Sequence, residues 1–318
     1  MAIVDPALGT SVSRAKINSI QPGGGFGFNL ELAWGRLRRA WLRRFRPRYV
    51  RRMQELRQGE CPSCPHDIID GRDLKLYRSV CGYSFPDEHD PFHRRSLLPF
   101  ARAGRAELVC FSLVALAACA VFGVAAMWHW IFYVALAASA MFWMFVVSFF
   151  RDPERPVPPD AAALVSPADG RITHVEEVED ADFPGGRALR VSIFLSVFDV
   201  HVNRIPRTSR VLSVRYFPGC FLDARHKECA VRNEQLWLDL EEADGQRLVR
   251  VKQISGAIAR RIVCWVKPGE TLERGERFGM IKFGSRTEVL IPADAVQQVQ
   301  VKVGDMVKGA STILLRVK

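Results

Sequence analysis

Between Leu108 and Phe150 the sequence has no Lys, Arg, Asp or Glu, a gap of 43 residues in a chain of 318. That gap excludes a soluble single-domain protein, since a membrane-spanning helix needs only about 20 apolar residues at about 1.5 Å rise each. Also missing is an apolar segment with a small-residue cleavage site within residues 1–30, so no cleaved signal peptide is expected. The 8 cysteines do not suggest a disulfide framework: Cys110 and Cys119 fall in the charge-free run, and Cys220, Cys229 and Cys264 follow it in a half expected to be cytosolic. Disorder of the whole chain is excluded too, because 48% of the residues are hydrophobic and the length allows about two domains.

What is present begins with the run itself. It fits two spans, since a single helix of that length would be about twice the hydrocarbon thickness. Met127-Trp128-His129-Trp130 lies at its middle, where Trp and His suit a turn at headgroup level. The pattern predicts a helical hairpin over roughly 108–127 and 131–150, with Ala117, Ala118, Ala125, Ala135 and Ala138 among the small residues that let the helices pack closely. The competing reading, a buried helix pair of a soluble domain, sits poorly with so long a charge-free stretch. Arg102 and Arg105 precede the first span, and Arg151 and Arg155 follow the second. Positive flanks on the same side place both of them in the cytosol, which makes the cytoplasmic membrane the expected location.

The net charge of +11 is lopsided. Residues 1–106 carry 19 Lys/Arg against 10 Asp/Glu, while residues 151–318 carry 26 against 23. Ten arginines lie within residues 36–57, interleaved with Trp34, Leu37, Trp41, Leu42, Phe45 and Tyr49. Basic and aromatic residues at near-helical spacing fit a helix lying on an anionic membrane surface. Nucleic-acid binding and a solvated linker are the competing readings; the hairpin that follows favours lipid, and no nucleic-acid partner is expected. Pro47 should interrupt any such helix. Farther on, Cys61 and Cys64 make a C-x-x-C pair, and Cys81 with one of His66, His89 or His93 extends it toward a zinc ribbon. The second knuckle is incomplete, because its first position is Arg78; a degenerate ribbon with reduced thiols is the alternative.

After Arg151-Asp152-Pro153 come short β-like runs separated by Gly and Pro turns, including Ala188–Phe194, Leu236–Leu240, Leu248–Ile254, Ile258–Val266 and Glu288–Ile291. The expected fold class is α+β, mainly β: a two-helix transmembrane hairpin followed by a β-rich, partly barrel-like cytosolic domain. The expected divisions are a basic extension over 1–106, the hairpin over 107–150 and the β-rich domain over 151–318.

Three blocks in that domain carry reactive groups. Ser166-Pro-Ala-Asp169-Gly170 puts a carboxylate on a tight turn, Asp199-Val-His201 puts an imidazole after an apolar strand, and Gly284-Ser285 puts a hydroxyl after a glycine. An acid, an imidazole and a hydroxyl together make an oriented base beside a nucleophile, although each alone is ordinarily structural.

With Phe150-Arg-Asp-Pro-Glu-Arg155, Phe217-Pro-Gly219, Asn233-Glu234, Ile254–Val266 and Gly279-Met-Ile-Lys-Phe-Gly-Ser-Arg286, these blocks closely resemble phosphatidylserine decarboxylase in its short, archaeal-type form. The resemblance covers about 108–318. It implies a pyruvoyl-dependent carboxy-lyase of phospholipid biosynthesis that begins as a self-cleaving proenzyme. The cut would fall between Gly284 and Ser285, leaving a β chain of 1–284 and an α chain of 285–318. Ser285 would become the covalent pyruvoyl group, whose ketone forms a Schiff base with the amine of phosphatidylserine and takes up the electrons freed by carbon dioxide loss. The product would be phosphatidylethanolamine. Asp169 and His201 are then the expected orienting group and base, with His201 also reprotonating the product. The partners implied are phosphatidylserine in an anionic membrane and the two cleaved chains; a homo-oligomer is compatible with this.

This sequence departs from the long bacterial form, which has a second histidine three residues after the first; Arg204 stands there. Either His201 serves both steps or a group such as His174 or His226 helps. Two other readings compete. A membrane-tethered biotinyl/lipoyl-like β module or adaptor would show a Lys at a hairpin tip, yet none lies between Glu288 and Gln297. A Ser-His-Asp hydrolase would ordinarily place its serine in a Gly-x-Ser-x-Gly elbow, whereas Ser285 is expected between strands.

Overall fold

The computed structural model describes residues 26–60, 85–89, 98–226, 228–242, 247–257, 261–282 and 284–318. The zinc candidates Cys61, Cys64, His66, Cys81 and His93 lie outside them.

The basic segment forms α1 (Phe26–Phe45) and α2 (Pro47–Glu55). The break falls at Arg46, because Pro47 lacks an N–H and suits the first helical position. Leu42 and Val50 bury against one another across it.

The charge-free run folds as α3 (Arg105–Ala125) and α4 (Phe132–Phe149), packed as a hairpin whose turn exposes Trp128 and Trp130. Both helices are long and apolar enough to cross a membrane. Only 6% and 11% of their apolar windows are buried, which counts against a soluble core pair. α3 starts earlier than predicted, taking Glu107 into its first turn, where a carboxylate faces the positive end of the helix dipole.

The remainder is α+β and mainly β. Its strands are β1 (Ala163–Val165), β2 (Gly170–Glu179), β3 (Arg187–Leu195), β4 (Val202–Arg204) and β5 (Ser209–Phe217). A single helical turn, α5 (Cys229–Arg232), precedes β6 (Gln235–Glu242), β7 (Leu248–Ser255), β8 (Arg261–Cys264), β9 (Thr271–Leu272) and β10 (Arg277–Lys282). Then come β11 (Ser285–Pro292), β12 (Val296–Val299), β13 (Met306–Val307) and β14 (Ile313–Val317). An 8-stranded antiparallel sheet runs β13-β2-β3-β11-β7-β6-β5-β9 and curls into a half-barrel. Two 3-stranded sheets, β4-β10-β8 and β1-β14-β12, complete the fold. Ile193, Val251 and Val289 of the large sheet share one core with Ile262 and Phe278 of the second and Leu314 of the third. Each such side chain contributes about 1.5–3 kcal/mol by leaving water.

β11 is central, paired on one side with β3 and on the other with β7. It is longer than the predicted Glu288–Ile291, because Ser285, Arg286 and Thr287 continue both ladders, opposite Leu195, Phe194 and Ile193 and opposite Ser255, Ile254 and Gln253. Ser285 therefore begins a strand rather than standing between strands.

The linker from α4 is pinned by charge. The Asp152 carboxylate accepts from Arg204 at 2.9 Å and from Arg277 at 2.6 Å. Arg204 also donates to the carbonyls of Pro153 and Gly275. Asp152→Ala leaves two guanidiniums without their shared carboxylate and is expected to cost about 3–5 kcal/mol, read as a lowered melting temperature. A change in Tm no larger than that of an exposed Asp→Ala control would refute that role for Asp152.

Candidate active site

β4 and β11 bring an imidazole and the glycine–serine junction together. A tight turn, in which the amide of Ser196 donates to the Asp199 carboxylate at 2.8 Å, leads from β3 into β4. His201 follows and is fully buried. Its Nδ1 lies 2.9 Å from the Asp199 carbonyl oxygen, and the Gly284 N–H donates to its Nε2 at 3.2 Å. A carbonyl can only accept, so Nδ1 carries the proton and Nε2 presents a lone pair. The Phe149 ring packs on the imidazole with centroids 4.5 Å apart. Burial pushes the His201 pKa down from 6.5 to about 4, outweighing the raising influence of the Asp199 carbonyl and carboxylate. The ring is therefore neutral near pH 7 and fit to take a proton.

Gly284 has φ +63°, the left-handed region that glycine enters at little cost. A Cβ there would meet only Val197 Cγ1, at 3.9 Å, so backbone conformation rather than crowding calls for glycine. Gly256, beyond the end of β7, is needed for space: a Cβ on it would lie 2.5 Å from the Gly284 carbonyl oxygen. Gly284→Ala is expected to cost about 1–2 kcal/mol without a clash, measured as a lowered Tm in an uncut Ser285→Ala background. An unchanged Tm would contradict the left-handed assignment.

Ser285 is fully buried, and its Oγ makes no hydrogen bond among the described residues. Neither does that of Ser255, its cross-strand neighbour. A buried hydroxyl without a partner is costly and marks a functional position. Two residues along the same face, the Asn203 amide donates to Thr287 Oγ1 at 3.3 Å and accepts from Gln253 Nε2 at 2.7 Å. A buried polar ladder thus replaces the apolar core at this end of β11. On the opposite face Arg286 donates to Ser192 at 2.9 Å, pairs with Glu288 at 2.8 Å and approaches His174 Nδ1 at 3.2 Å, which anchors the residue after Ser285.

Asp169, expected to orient the imidazole, makes no hydrogen bond to it among the described residues. Its carboxylate accepts from Arg155 at 2.6 Å and from the Gly309 amide at 2.8 Å, and burial nonetheless holds its pKa above the usual carboxylate range. Both ring nitrogens of His201 already have partners, so the Asp199 carbonyl does the orienting. The other two histidines considered as helpers are also engaged away from the junction. His174 lies with Arg286 on the far face, and His226 accepts from the Glu228 amide within its own loop. Arg204 is a tie for the linker. The Asp199 carbonyl, Asn203, Gln253, Thr287 and Ser255 are site groups that the sequence reading does not name as such, although the Asp199–Arg204 block contains two of them and the Ile254–Val266 block contains Ser255. The partnerless Ser285 hydroxyl and the glycine before it fit a serine that is to be converted into a pyruvoyl group.

Fold and site together define a β-rich domain hung from an apolar helical hairpin, with a Gly–Ser junction held against a buried, neutral imidazole. Residues 142–315 match the family model described as phosphatidylserine decarboxylase. The chain is 45% identical over 248 residues to the phosphatidylserine decarboxylase proenzyme of Rhodopirellula baltica, covering 76% of this chain and 98% of that one. It is 49% identical over 205 residues to the proenzyme of Symbiobacterium thermophilum, covering 64% and 90%, and 46% identical over 170 residues to that of Desulfotalea psychrophila, covering 54% and 78%. The chain belongs to the phosphatidylserine decarboxylase family.

Proposed function

We propose that this chain, a phosphatidylserine decarboxylase, generates its own pyruvoyl group by cutting itself between Gly284 and Ser285, with His201 as the base. The observation that carries this reading is the Gly284 N–H held on the unprotonated Nε2 of a neutral, buried His201, one residue before a Ser285 hydroxyl that makes no hydrogen bond among the described residues. The Asp199 carbonyl fixes the tautomer and aims the lone pair.

In the first step Nε2 takes the Ser285 hydroxyl proton and Oγ bonds to the Gly284 carbonyl carbon. The Gly284–Ser285 C–N bond breaks, and the proton passes to the new amine, leaving an ester. Loss of the Ser285 α-proton then breaks its Cβ–Oγ bond. Residues 1–284 depart with a carboxylate, and residue 285 is left as a dehydroalanine. Water replaces its nitrogen, which leaves as ammonia. The resulting ketone supplies a sink for the electron pair left when carbon dioxide departs from the substrate. Each turnover takes up one proton from solvent, which His201 Nε2 passes to the product carbon, and Arg286 holds the new terminus from the other face of β11.

In the same reading α3 and α4 span the cytoplasmic membrane, residues 151–318 face the cytosol, and the arginine-rich α1 and α2 lie on anionic lipid. A tethered site meets its lipid substrate at a raised effective concentration. Purified full-length chain in nanodiscs containing phosphatidylserine should release carbon dioxide and form phosphatidylethanolamine. A folded, cut chain that leaves phosphatidylserine unchanged would overturn the substrate assignment.

A further inference from the structure

The helical hairpin touches the site at two places. Phe149, which closes α4, packs on the His201 ring, in one buried cluster with Phe150, Val200, Val202 and Met280. Glu107, in the first turn of α3, accepts from Lys282 Nζ, which closes β10 two residues before Gly284. The side chains of Lys282 and Glu107 are only 3% and 2% exposed. Taking both charges out of water is expensive, and an apolar pair of similar volume would serve stability as well or better. Stability alone therefore does not account for an ion pair here. What the pair does provide is a directional tie between the base of the membrane hairpin and the strand that delivers the scissile glycine.

From this we infer that Glu107 and Lys282 are positioning residues for self-cleavage. Docking of α3 sets, through this pair, where Gly284 lies against His201 Nε2, while Phe149 holds the imidazole from α4. The hairpin is then part of the cutting machinery as well as a tether, and the β-rich domain reaches full cutting geometry only with both helices docked. The inference rests on the cut between Gly284 and Ser285. The reacting groups are untouched by the pair, so its loss should change the rate of cutting and not its site. Misplacement of a reacting group by about 1 Å costs on the order of 100-fold in rate.

The test follows appearance of the small fragment after synthesis of the full-length chain in nanodiscs. The informative variant replaces both charges together, Glu107→Gln with Lys282→Met, because it strands neither charge and is expected to keep the wild-type melting temperature. The inference expects this variant to fold and to cut at the same bond, about 10- to 100-fold more slowly. The exchanged pair, Glu107→Lys with Lys282→Glu, should recover most of the rate; a merely structural role would not produce that recovery. Wild-type cutting by the folded double variant overturns the inference. Should the double variant not fold, an exchanged pair that folds but cuts no faster than Glu107→Gln alone overturns it equally. If the wild-type chain itself is never cut, the proposed function fails instead, which keeps the two failures apart.

Discussion

Ser285→Ala is expected to remain one full-length chain, folded and without decarboxylase activity. The substitution removes only the hydroxyl, and in the structure that hydroxyl makes no hydrogen bond among the described residues. Its loss strands no partner, and at a position flanked by both β3 and β7 the ladder stays intact. The melting temperature should therefore be unchanged or slightly raised, while cutting stops altogether, because alanine has no oxygen to attack the Gly284 carbonyl. A denaturing gel with a phosphatidylethanolamine assay reads both. Persistent cutting in this variant would move the nucleophile to another residue, with Ser255 the first to examine.

His201→Ala should slow cutting by about 100- to 10,000-fold, the usual worth of a positioned base. The pH profile is more specific. Because burial lowers the His201 pKa to about 4, the neutral, proton-accepting form persists well below 6.5. The cutting rate should stay flat from pH 8 to about pH 5 and fall only as pH drops through about 4. Stability follows the same linkage. Between about pH 6.5 and 4 the unfolded chain binds a proton at this histidine that the folded chain does not. This contribution to stability is therefore complete above about 6.5 and shrinks by roughly 3 kcal/mol in total as pH falls toward 4. Comparing the melting temperatures of chains with and without His201→Gln across that range, both in the uncut Ser285→Ala background, isolates it. A rate profile breaking near 6.5 would mean that the imidazole is solvated when it acts.

The hairpin was legible because charge is absent over a stretch where any soluble surface would need it. Its start was misread by three residues, since Glu107 looks like a flank and is in fact buried on Lys282. Most central strands were legible from apolar runs. β2 was not, because Glu176, Glu177 and Glu179 lie where its outer half is exposed and interrupt the apolar signal. The first residues of β11 are hidden for the opposite reason: Ser285, Arg286 and Thr287 are polar yet buried, and distant strands supply the partners of Arg286 and Thr287. Ser285 and His201 could be named because their reactive groups sit in recognisable blocks. The environment of His201 could not, since an imidazole held between a main-chain carbonyl and the Gly284 amide leaves no trace in side-chain types. Asp169 illustrates the limit: its block is distinctive, but its carboxylate is occupied by Arg155 and Gly309.

Intact mass of the purified, denatured chain tests the central claim most directly. Two species are predicted, 1–284 and 285–318, the smaller one lighter by one ammonia than the same peptide with an N-terminal serine and lacking a free terminal amine. A single uncut chain of 318 residues that decarboxylates phosphatidylserine would contradict it.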